Sequence, residues 1–137
     1  MTRILKTSGF LGLAAMMLVG LYQATLVAGG SAAPGWMVGG HAHLGVLSIL
    51  AIVVGFTVDV LGLTGRLRQA VSGLFVVGQW GVPLTVWVAV LVEFPPLHAT
   101  TFVWGSALIV SMLLMAWQAA TTDATLDVTG TATPADD

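Results

Sequence analysis

The 137-residue chain contains no cysteine, which excludes disulfides, thiolate metal centres and cysteine nucleophiles and leaves the redox compartment open. Charge is nearly as scarce. Lys and Arg together number 4 and Asp and Glu 6, so charged residues make up 7% of the chain, against roughly a quarter in ordinary soluble domains. Four basic residues cannot track the backbone of a nucleic acid, and nucleic acid is excluded as a partner. Nucleophile–base pairs, glycine-rich phosphate loops and paired intramembrane carboxylates are lacking too, so the chain is not expected to be an enzyme on its own. What remains is apolar. Hydrophobic residues make up 57% of the chain and the mean hydropathy is +0.98; lipid must therefore be its main solvent.

Four apolar runs cover residues 9–28, 38–63, 70–92 and 100–119. Each is about 20 residues or longer, enough at about 1.5 Å per residue to cross a hydrocarbon core about 30 Å thick. Backbone amides in lipid must bond within their own segment, so the runs are predicted to be helices. The expected fold is all-α, a four-helix transmembrane bundle over residues 1–120 running up-down-up-down, with a disordered Thr-, Ala- and Asp-rich tail at 121–137. The breaks between the runs are GGSAAPGW, TGRLR and EFPPLH, each rich in turn-forming or charged residues. Arg3 and Lys6 precede the first run, and Arg66 and Arg68 lie between the second and third. An even number of crossings separates these places, so all four cations share one side. The positive-inside rule makes that side cytoplasmic, with both termini, in a multi-pass protein of the inner or plasma membrane. Cleavage of the first run as a signal peptide is the alternative, against which stands an apolar stretch longer than the usual signal core.

The histidines are His41, His43 and His98. The topology puts His41 and His43 at the outer end of the second helix and His98 before the fourth, with Glu93 nearby. Ionisable groups at membrane depth are candidates for function. Two residues on a helix differ by about 200°, so His41 and His43 point to opposite faces; an extended segment would let both converge on one ion. From His41 runs a small and polar stripe of Gly45, Ser48, Ile52, Gly55 and Asp59, expected to face the bundle. From His43 runs a bulkier one with Val46, Leu47, Leu50, Val53, Val54, Thr57 and Leu61, expected to face lipid, a macrocycle or a second subunit. Asp59 is expected near the inner surface, paired with Arg66 or Arg68. In the third helix Pro83 cannot donate to the carbonyl of Gln79, which predicts a kink, and the Gln79 side chain should bond across the bundle.

HAHLGVLSILAIVVGF, beginning at His41, resembles the His-X-His helix of the catalytic subunit of haem-copper oxygen and nitric-oxide reductases. It resembles still more a set of small four-helix membrane proteins related to part of that subunit, whose Gly-X-Pro in the third helix is matched by Gly81 to Pro83. The resemblance implies that His41 corresponds to the ligand of a high-spin haem and His43 to that of a low-spin haem. The large enzymes use further histidines for copper and a second haem, and this chain has only His98 left. Oxygen or nitric-oxide reduction is therefore not expected. What is expected is at most one haem b per chain, in electron transfer or gas sensing, with His98 or a partner subunit's His43 as the other axial ligand in a homodimer or membrane complex. Two other classes stay open. One is copper or zinc handling through His41, His43 and His98 with Met37 or Glu93; the other is a non-catalytic scaffold or accessory subunit.

Overall fold

A computed structural model describes residues 2–122. The elements are α1 (Thr2–Ala28), α2 (Gly35–Val60), α3 (Gly65–Leu91), a 3₁₀ turn (Pro95–Ala99) and α4 (Thr100–Thr121). All four α-helices are long and apolar enough to cross a membrane, and the protein is an all-α four-helix bundle. The tail expected to be disordered lies, from residue 123, outside the described residues.

The helix limits differ from the apolar runs for identifiable reasons. Helix α1 starts at Thr2, because Arg3 and Lys6 continue a helix well while their heads reach water. Helix α2 ends at Val60, not 63, since Gly62 adopts a left-handed φ of 61°. Its amide donates to Asp59 O at 3.1 Å and that of Leu63 to Val58 O at 3.1 Å, which is a Schellman stop. Leu63 and Val58 are both buried, the hydrophobic contact that accompanies such a stop. The same pattern closes α1 at Gly30 and α3 at Glu93. Glu93 has a φ of 51°, a conformation that costs a non-glycine residue about 1–2 kcal/mol.

Glycines set the helix spacing. In the antiparallel α1–α2 seam, Gly9 faces Ile52 and the Ser48 carbonyl, Gly12 faces Ser48 and Gln79, and Gly45 faces Met16. Further along, Gly55 meets Leu5 and Lys6, and Gly20 meets His41. The His41 stripe is thus the α1-facing side of α2. In the α3–α4 seam, Gly78 lies against Leu108 and Gly81 against the Trp104 ring. Small residues permit this approach, and in lipid close packing replaces hydrophobic exclusion as the source of helix association. Helix α4 packs mainly on α3, and only Ser111 and Met115 of it are buried.

The contiguous apolar core comprises Leu5, Ala51, Val54, Val58, Leu63, Val71, Phe75 and Met115. Val54 corrects the expected division of α2. It is buried, although it was assigned to the His43 face, because α2 is sandwiched between α1 and α3 and its buried arc is wider than one stripe.

Candidate functional site

Helix order defines two ends. The basic end holds Arg3, Lys6, Arg66 and Arg68; the other holds all three histidines. Between them lies a buried polar knot. Gln79 of α3 is fully buried and donates from Nε2 to Ser48 Oγ of α2 and to the Ser8 carbonyl of α1, both at 3.1 Å. Its Oε1 accepts from Ser8 Oγ at 2.9 Å, and Trp80 Nε1 donates to the same hydroxyl at 2.9 Å. The expected cross-bundle bond of Gln79 is present, and it joins three helices. Helix α3 runs as one element through the buried Pro83. A second knot ties α3 to α4: Trp104 Nε1 donates to Thr85 Oγ1 at 2.9 Å, and Thr85 bonds Thr100 at 3.3 Å.

At the basic end, Asp59 pairs with Arg68 at 3.2 Å, one of its two expected partners. It also pairs with Lys6 at 2.8 Å, whose ammonium sits 4.0 Å above the Phe56 ring. Sequence inspection missed Lys6 because that pairing depends on the register of α1 against α2.

The histidine end is built differently. His41 is half-buried, with its ring against α1: a Cβ placed on Gly20 would lie 3.0 Å from His41 Cε1. Its Nδ1 is buried without a hydrogen-bond partner, as are Gln23 Nε2 and Trp87 Nε1. His43 is exposed on the opposite side of α2. Its Nδ1 lies 2.7 Å from the Gly39 carbonyl oxygen. A carbonyl can only accept, so Nδ1 carries the proton, and in the neutral ring Nε2 keeps a free lone pair. The ring borders a shallow depression of about 310 Å³ with Ala42, Val46 and Leu47. His98 is exposed in the 3₁₀ turn and borders a separate groove of about 490 Å³ between α3 and α4. Met37 lines a third recess, about 390 Å³, between Leu18, Val19 and Tyr22 of α1 and Trp36, Trp87 and Leu91. Glu93 is exposed in the turn after α3.

The topology therefore gathers His41, His43 and His98 at one end and then separates them over different surfaces. Among the described residues there is no group of three or more His, Asp or Glu side chains placed to hold a metal ion. The HAH segment is helical, so convergence through an extended loop does not arise. The meeting of Ser8 and Ser48 with Gln79 follows from the register between helices, whereas the Gly39 acceptor is local, four residues before His43 in the same helix.

No curated protein and no solved structure matches the chain. A family described as a domain of unknown function, DUF8059, matches residues 1–137 in full, and the chain belongs to that family.

Proposed function

We propose that this integral membrane protein binds haem b through His43, as a homodimer acting in electron transfer or gas sensing. The observation that carries the proposal is the hydrogen bond from His43 Nδ1 to the Gly39 carbonyl at 2.7 Å. Histidines that ligate metals usually donate their other ring nitrogen in this way, which fixes the ring and directs the free lone pair outward. The surroundings suit a flat apolar macrocycle. Val46 and Leu50 lie one and two turns below His43 on the same face and are exposed.

The two histidines of the HAH pair differ in their fitness for this task. His41 is closed in by Gly20, leaving no room for a macrocycle between α1 and α2, and its part is to pack the seam. His43 would hold the haem iron through its free ring nitrogen, together with the partner's His43 in a homodimer. Bound there, haem would supply a one-electron couple or a gas-sensitive iron; the chain supplies the ligand, its orientation and an apolar surface of Val46 and Leu50 beside it.

The test is pigment. Protein purified in mild detergent with haem supplied is expected to show a Soret band, lost in His43→Ala and retained in His41→Ala and His98→Ala. A colourless wild-type preparation contradicts the proposal, as does a band that survives His43→Ala.

A further inference from the structure

The basic end carries a feature independent of any haem. Lys6 and Arg68 share Asp59, while Arg3 and Arg66 are exposed and form no ion pair among the described residues. Helix α3 begins at this end. Its N-cap Thr64 makes no side-chain capping bond, so first-turn amides at the positive pole of a 27-residue helix are left without a side-chain acceptor. An uncapped terminus of this kind favours phosphate.

Beside it, α1 and α3 leave a groove of about 360 Å³ lined by Ile4, Gln69, Ser72 and Gly73. Arg66, Gln69 and Gly73 are spaced three and four residues apart, on one face of α3. Ser72 is 3% exposed, and its hydroxyl has no hydrogen-bond partner. A Cβ on Gly73 would meet nothing within 4 Å, so the groove is open at that level. From Arg66 to Gly73 the helix descends about 10 Å at its usual rise. The sequence of environments along that descent is cationic at Arg66, then the amide of Gln69, then apolar at Gly73 and Ile4. That order matches a glycerophospholipid from phosphate to ester to acyl chain.

We infer that this groove binds one anionic phospholipid of the leaflet at the basic end. The phosphate lies at Arg66 and the start of α3, with Arg3 adding positive charge from α1. The ester region lies beside the exposed Gln69, whose amide donates to it, and an acyl chain runs over Ile4 and Gly73. Neutral lipids lack the net negative charge that the rim selects.

Native mass spectrometry of the full chain, from detergent containing equal phosphatidylglycerol and phosphatidylcholine, tests the inference. Wild type should retain phosphatidylglycerol several-fold over phosphatidylcholine. Arg66→Gln should lose the preference through charge, and Gly73→Leu through filling the groove. Because Gly73 faces open space, the second variant should keep the wild-type melting temperature in phosphatidylcholine. Equal retention of the two lipids by wild type would overturn the inference, as would undiminished phosphatidylglycerol on Gly73→Leu. Displacement of the lipid by inorganic phosphate alone would also overturn it, since the site would then read a free anion.

Discussion

The two halves of the bundle are built on different plans. In the basic half, Leu5, Val54, Val58, Leu63, Val71, Phe75 and Met115 form one continuous core, and Lys6, Asp59 and Arg68 tie three helices together at its end. In the histidine half, α1 has no buried residue beyond Gly12. A recess opens between α1, α2 and α3, and the buried nitrogens of Gln23, His41 and Trp87 lack partners, as Ser72 Oγ does at the basic end. Gln79 marks the border. The continuous core lies toward one end, whereas at the other α1 withdraws from the packing and the three histidines are spread over separate surfaces. Close packing and accessibility cannot occupy the same place, so the stability of the bundle is expected to depend more on the core end than on α1 in the histidine half.

The comparison is broken most directly by truncating one residue in each half. Phe75→Ala removes a side chain that is 1% exposed and is expected to cost about 3 kcal/mol. Leu18→Ala, at a position 68% exposed beside the recess, should cost less than about 0.5 kcal/mol. Similar losses in the two variants, measured by reversible unfolding in mixed micelles, would remove the asymmetry. Gln79→Leu probes the border. It leaves Ser8 and Ser48 without their shared partner, and bonds of this kind in membranes are worth roughly 0.6–2 kcal/mol. The expected loss lies between those of the two truncations. A neutral result would mean that the knot adds nothing beyond packing.

Much of this plan was legible in the sequence, because lipid imposes simple demands. Four apolar runs sufficed for the spans, and shared sidedness of Arg3, Lys6, Arg66 and Arg68 sufficed to sort the ends. The 100° step of a helix correctly separated His41 from His43, and the small-residue stripe from His41 to Asp59 does face the bundle, although that its neighbour is α1 was not legible. Helix ends were less visible. The left-handed stop at Gly62 lies inside an apolar stretch, and that at Glu93 uses a residue which rarely adopts the conformation. Long-range partners were the least visible. Lys6 reaches Asp59, and Ser8 reaches Gln79, only once the register between helices is fixed. The separation of His98 from the HAH pair has the same origin: sidedness can be counted along a chain, but lateral distance within a leaflet cannot.

Everything proposed for the histidine end requires the loops around residues 33 and 96 to share one side of the membrane, opposite residue 64. The absence of native cysteine makes this directly measurable with Ala33→Cys, Pro96→Cys and Thr64→Cys in sealed vesicles of one orientation. A membrane-impermeant maleimide should label the first two from the same side and the third only from the other. Labelling of Ala33→Cys and Pro96→Cys from opposite sides would contradict the four-crossing path and the placement of the histidines with it.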